Sequence, residues 1–182
     1  MEALPIPNLL LIAGTGQNVG KTTLACRIIE RFSAEHPIVG IKISSHFHKK
    51  IESGNIIVQR SDLYVAEEID RSKTKDSSLF LAAGAVKSYF VMAADHQLPE
   101  AMQIIKDLSL SNASFVCESG GLRNWYIPGV FLMMHRLGSE MLKQDTPKWK
   151  AVCDRWITFD GAGLDFNLDD LSIQDNNWHL KV

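Results

Sequence analysis

An apolar run, Leu9-Leu10-Leu11-Ile12-Ala13, passes through the turn Thr15-Gly16-Gln17-Asn18-Val19-Gly20-Lys21-Thr22 into a helical pattern from Leu24 to Phe32. A strand that turns through glycine and at once begins a helix leaves few folds open. It is the context that a phosphate-binding P-loop needs. Backbone N–H groups of such a turn, with those of the helix N-terminus, converge on one point and hold an anion without side-chain charge. Lys21 is then expected at the β- and γ-phosphates and the Thr22 hydroxyl at Mg²⁺, while Gly20 permits close backbone approach. Thr15, Gly16, Gln17, Asn18, Val19, Gly20, Lys21, Thr22 and Thr23 are the expected nucleotide contacts. One position departs from the strict pattern: Thr15 stands where a glycine is expected, and Gly14 comes one place early. The motif predicts a bound nucleoside di- or triphosphate, GTP or ATP, with Mg²⁺.

The 182 residues suit one domain, 1–182, with 46% apolar residues to fill a core. A net charge of -2, with no Lys/Arg cluster, argues against a nucleic-acid footprint. Cys26, Cys117 and Cys153 are far apart and lack metal-ligand spacing, so they read as free thiols of a reducing compartment. Residues 1–8 carry no cationic n-region and the apolar run after them is five residues long, so neither a signal peptide nor a membrane span is expected. The expected location is cytoplasmic. The acidic positions Asp160, Asp165, Asp169 and Asp170 read as a solvated loop.

Further along, Thr22 to Glu35 reads as helix, ended by His36-Pro37. Ile38 to Ile43 reads as a strand and Ser44 to Asn55 as a surface loop. Ile56 to Gln59 and Leu63 to Ala66 can pair as a hairpin across Arg60-Ser61-Asp62. Lys75 to Ala85 is a predicted helix, Ser88 to Ala93 a strand, Pro99 to Leu108 a helix with Pro in its first turn. Ser114 to Cys117, Val130 to His135 and Ala151 to Phe159 are predicted strands. Apolar strands alternating with helices predict an α/β fold, a mostly parallel sheet with helices on both faces, here of the P-loop NTPase type. Ligands of such sheets bind outside the carboxyl ends of the strands. The loops after Ala13, Ile43, Ala93 and Cys117 should then share one rim and gather Thr22, His46, Asp95 and Glu118.

A P-loop enzyme needs a carboxylate at the end of a nearby apolar strand to hold Mg²⁺. Glu118 fits, with Ser114 to Cys117 before it and Gly120-Gly121 behind. Thr22 and Glu118 are the expected metal ligands; Lys21, Glu118 and Asp76 are the expected catalytic groups. Asp76 opens a helix, where the macrodipole alone would also favour an acid. His46 and His48 suit a metal only if their loop converges them, and otherwise belong to an exposed loop. Lys42 either contacts phosphate or substrate or is an edge lysine lying along the sheet. Arg123 reaches a phosphate or stays on the surface. Trp125 and Tyr126 read as packing or interface residues.

These segments together resemble the MobB family, the GTP-binding adapter of molybdopterin-guanine dinucleotide synthesis, from about Asn8 to His135. The likeness is carried by Gly20-Lys21-Thr22-Thr23-Leu24, Val39-Gly40-Ile41-Lys42, Lys75-Asp76-Ser77 with Ala82-Ala83-Gly84-Ala85, and Cys117-Glu118-Ser119-Gly120. Ile127-Pro128 with Val130 to Arg136, and Asp165 to Asp170, are similar to later parts of that family. In place of the family's Lys-His-x-His-His, this chain has Ile43 after Lys42, with His46 and His48 shifted, and Glu52 to Lys73 is a longer insertion. The resemblance implies a nucleotide-binding protein with slow NTPase activity that assists molybdenum cofactor biosynthesis. Its expected partners are the nucleotide and an enzyme of cofactor biosynthesis, with a homodimer left open and no nucleic acid or membrane. No Asn-Lys-x-Asp base-reading motif is present, so GTP and ATP both stay open. A second resemblance, to dethiobiotin synthetase, an ATP-dependent ring-closing ligase, rests on Gly14-Thr15-x-x-x-Val19-Gly20-Lys21-Thr22 and Glu118-x-Gly120-Gly121-Leu122.

Overall fold

In a computed structural model that describes residues 3–44, 47, 54–72, 75–139 and 144–181, the apolar run of the sequence becomes the centre of a sheet. Strand β1 (Leu4–Gly14) leads into helix α1 (Lys21–Phe32) and strand β2 (Ile38–Ser44). Strands β3 (Asn55–Gln59) and β4 (Leu63–Glu67) precede helix α2 (Asp76–Ala82), strand β5 (Lys87–Ala93) and helix α3 (Leu98–Asp107). Strand β6 (Ser114–Glu118), strand β7 (Tyr126–Arg136), helix α4 (Thr146–Lys150) and strand β8 (Arg155–Phe159) follow, and β9 (Leu171–Gln174) pairs with β10 (Asn177–Leu180).

The eight-stranded sheet runs β3-β4-β5-β2-β6-β1-β7-β8. Its pairings from β5 to β8 are all parallel, while β3 and β4 join antiparallel at one edge. The chain is therefore α/β with a mostly parallel central sheet. Side chains alternate across it with period two. Leu9, Leu11 and Ala13 of β1 pack with α3 and with Trp149 of α4 on one face. Leu10 and Ile12 pack with Leu24 and Ile28 of α1 and with Phe80 of α2 on the other. The alternation continues to the strand ends. Lys42 shares the parity of Ile38, and Glu118 that of Val116, so both belong to the α1/α2 face.

Several expected boundaries move. The first helix stops at Phe32 rather than Glu35, and the helix from Lys75 ends at Ala82 because Gly84 follows at φ 108°, a left-handed conformation. The strand expected from Val130 begins at Tyr126. The strand expected from Ala151 begins at Arg155, because Thr146–Lys150 forms α4 and Asp154 turns to accept the Phe131 N–H at 2.7 Å. The segment around Glu52 to Lys73 supplies β3 and β4, the antiparallel edge of the sheet. Beyond the acidic loop, the C-terminal segment forms the β9–β10 hairpin. Asp175 and Asn176 turn it at φ 50° and 65°, which suits the two-residue hairpin turn that these residue types tolerate. No helix among the described residues is long and apolar enough to cross a membrane.

Candidate functional site

The order β2-β6-β1 brings three strand ends together, and β6 lies between the two others. The parallel register pairs Glu118 with Ile12 on one side and with Lys42 on the other. Two residues 76 apart in sequence thus become lateral neighbours, and their shared parity aims both at the face where α1 and α2 begin. Thr22 stands in the first turn of α1 and Asp76 is the first residue of α2.

The groups meet around one carboxylate. Thr22 Oγ1 donates to Glu118 Oε2 at 2.8 Å, and Lys42 Nζ donates to Glu118 Oε1 at 2.6 Å. The same ammonium lies 2.6 Å from Asp76 Oδ2, and Lys21 Nζ lies 3.9 Å from Glu118 Oε1. Lys21 also donates to the Gly16 carbonyl at 2.8 Å, which folds its side chain over the turn. Glu118 is buried, with a side chain 4% exposed, so its charge depends on these partners rather than on water.

The turn is held open by backbone geometry. Gly20 caps α1 at φ 87°, a region that side chains disfavour. The departure at Thr15 also has a steric account. A Cβ on Gly14 would come within 2.7 Å of Val19 and 3.0 Å of Lys21, whereas one on Gly16 would meet nothing closer than 3.9 Å. The first indispensable glycine is therefore Gly14. Thr15 is buried and gives its N–H to the Met134 carbonyl at 2.9 Å. Gln17, Asn18, Val19, Gly20, Lys21, Thr22 and Thr23 line a cleft of about 400 Å³, completed by Lys42, Asp76, Glu118 and Phe159. Of the expected contacts, Thr15 is not in this lining, and Gly16 lines a second cleft instead.

Electrostatics mark the place as acidic. Burial first, then Asp76 and Glu118, push the Cys26 thiol up to about 11. Burial works against the Lys42 ammonium, but the Glu118 charge and the hydrogen bonds to Asp76 and Glu118 outweigh it and hold the group above its ordinary 10.5. A raised ammonium pKa adds stability that is complete below the ordinary value and is lost as pH climbs through the folded-state value. Lys42 therefore keeps its charge throughout the neutral range.

The donor set suits a hard cation. Thr22 Oγ1 and the carboxylates of Glu118 and Asp76 are oxygen ligands of the kind Mg²⁺ takes, and Lys42 already stands between the two acids as a cation. No group of three His, Cys, Asp or Glu side chains that could hold a metal converges among the described residues. Two acids and a hydroxyl are fewer donors than the octahedral shell of Mg²⁺, an ion that usually keeps several waters.

Other candidates fall elsewhere. Arg123 turns inward, its guanidinium 5.9 Å from the Phe131 ring centroid and its Nη1 donating to the Tyr126 carbonyl. Tyr126 is buried, and Trp125 donates its Nε1 to Asp95 Oδ2 at 3.3 Å. Asp95 does reach the shared rim, but in the second cleft. His46 and His48 lie outside the described residues.

Lys42, weighed in the sequence both as a phosphate or substrate contact and as an edge lysine, bridges Asp76 and Glu118 in the cluster. Phe159 had no signal in the sequence, because its place in the cleft depends on β8 ending beside the turn. The second cleft, about 520 Å³, opens on the α3/α4 face and shares Lys21, Lys42 and Glu118 with the first. No family model, no curated protein and no solved structure matches the chain.

Proposed function

We propose that the chain is a P-loop nucleotide-binding protein that takes GTP or ATP with Mg²⁺ on the turn from Gly14 to Thr22 and hydrolyses it slowly. One observation carries the proposal: Glu118 is bonded at once to Thr22, in the first turn after the glycine loop, and to Lys42, which reaches Asp76. A nucleotide site needs that combination of an anion-binding turn and an acid beside its Ser/Thr. Thr22, Glu118 and Asp76 would hold the metal, whose role is to neutralise charge on the phosphate oxygens. Lys21 would leave the Gly16 carbonyl for the phosphates, and Lys42 would exchange carboxylate contacts for phosphate ones.

Replacing Lys21 with Ala removes one charged contact, worth about 1.5–3 kcal/mol, so affinity should fall at least about tenfold. Titration of fluorescent GTP and ATP analogues against wild type and variant tests this; unchanged affinity for both nucleotides would sink the assignment. Comparing the two titrations also gives base preference.

The role in the cell divides into two readings. A MobB-like adapter assisting molybdenum cofactor biosynthesis needs only the nucleotide site and a partner. A dethiobiotin synthetase-like ligase needs a second substrate site, and the 520 Å³ cleft beside Lys42 favours this small-molecule reading. Among the described residues no Gln or Arg lines the first cleft at the phosphate end except Gln17, so intrinsic turnover should be weak. Phosphate release measured on the isolated protein separates the readings. Slow turnover unchanged by small molecules fits the adapter, while stimulation by an acceptor fits the enzyme.

A further inference from the structure

We propose that Phe159 is the platform on which the nucleobase stacks, so that the protein grips a purine nucleotide by the face of its base and reads the edge little. The inference rests on the nucleotide reading of the first cleft and adds to it where the base lies and how it is held.

The cleft has two chemically different ends. Strand order puts Glu118 on β6 and Lys42 on β2, to one side of β1, and Phe159 on β8, to the other. Glu118, Lys42 and Asp76 make the charged end, where the metal and the terminal phosphate would sit. In the sheet, β8 is three strand spacings from β6, about 14 Å, a span over which a triphosphate leads to its nucleoside. At that far end, Phe159 is the one aromatic side chain among the described residues of the lining.

The ring is set in place by the fold itself. Phe159 is half-buried, packs against the core of the α1/α2 face, and lines the cleft. A Cβ built on Gly20 would stand 3.2 Å from Phe159 Cγ and 3.3 Å from Met134 Cε, so the ring lies against bare backbone at the head of α1. The strand end that carries it is fastened on both sides. The Phe159 carbonyl accepts the Leu137 N–H at 2.9 Å, and Thr158 exchanges hydrogen bonds with the backbone N–H and the carboxylate of Asp165. An aromatic face already fixed in place loses little freedom when a ligand lands on it.

Groups that could read the edge of the base are spent elsewhere. Asp160, next in the chain, is not in the lining, and its Oδ1 accepts the N–H groups of Ala162 and Gly163 at 2.8 and 2.7 Å. The two amides in the lining, Gln17 and Asn18, belong to the phosphate turn. Stacking tolerates any base, because every base has a π-face, and its preferences follow stacking strength rather than a hydrogen-bond code.

The test uses the full chain in Mg²⁺ and calorimetry with ATP, GTP and inorganic tripolyphosphate, which has the charge but no base. Wild type should bind ATP and GTP within about fivefold of one another. Phe159→Leu keeps apolar bulk and loses the π-face. It should weaken both nucleotides about fivefold or more and tripolyphosphate less than about twofold. Phe159→Tyr, which keeps the ring, should stay within about twofold of wild type for all three. An equal loss for all three probes in Phe159→Leu would make the ring a scaffold of the turn and overturn the platform. Unchanged nucleotide affinity in that variant, or a larger preference for one purine in wild type, would overturn it too. Lys21→Ala separates the two readings: if it weakens tripolyphosphate while Phe159→Leu spares the nucleotides, the platform falls and the phosphate site stands. If neither the nucleotides nor tripolyphosphate bind, both fall.

Discussion

Glu118→Gln is expected to lower nucleotide affinity in Mg²⁺ at least about tenfold, to near the value that wild type gives in EDTA. The carboxylate accepts from Thr22 through one oxygen and from Lys42 through the other. An amide keeps the shape but offers only one acceptor, and it removes the charge that a metal needs. Without metal the same charge repels phosphate, so the variant in EDTA should bind as well as wild type or better. Folding should survive. Breaking a fully buried ion pair costs roughly 3–5 kcal/mol, but Lys42 keeps Asp76, which is 40% exposed, so a cost of about 1–2 kcal/mol is expected here. Affinity in Mg²⁺ and in EDTA, read beside the melting temperature, checks the claim. A variant that loses stability yet keeps the whole Mg²⁺ effect would assign Glu118 to the scaffold and leave Asp76 as the acid to test next.

Trp178→Ala should destabilise the protein by about 3–5 kcal/mol, which for a chain of this size lowers the melting temperature by roughly 10 °C. The ring is fully buried, packs edge-on to Phe32 at 5.2 Å, and donates its Nε1 to the Phe115 carbonyl at 3.0 Å. It thus pins the β9–β10 hairpin against the end of α1 and the start of β6, below the cleft rather than in it. Nucleotide affinity of the folded variant should be unchanged. Trp178→Phe keeps most of the packing and loses the hydrogen bond, so about 1–2 kcal/mol is expected. Denaturant unfolding of the two variants checks the ranking; equal stability to wild type would mean that the hairpin is dispensable. The turn had a local signal, Asp175-Asn176 between two short alternating segments. It was hidden by the acidic stretch from Asp160 to Asp170, which resembles solvated loop whatever follows it.

What the sequence determined by itself is the local grammar near the start: an apolar strand, a turn through Gly14 and Gly20, and a helix from Lys21. Periodicity and glycine act over a few residues, so they are legible without knowing where the chain goes next. Glu118 could be suspected for the same reason, as an acid closing an apolar run. The tertiary structure decided the neighbours. Lys42 becomes the bridge because β6 inserts between β1 and β2, setting it opposite Glu118 in register, and strand order depends on crossovers that no local pattern encodes. Asp76 reaches that ammonium only because α2 packs on the same face as α1. Trp149 reaches the second cleft only because α4, a five-residue helix too short for a periodic signal, packs onto the opposite face. Side-chain chemistry is written residue by residue, but a site is a set of distances between residues far apart in the chain, and packing alone sets those distances.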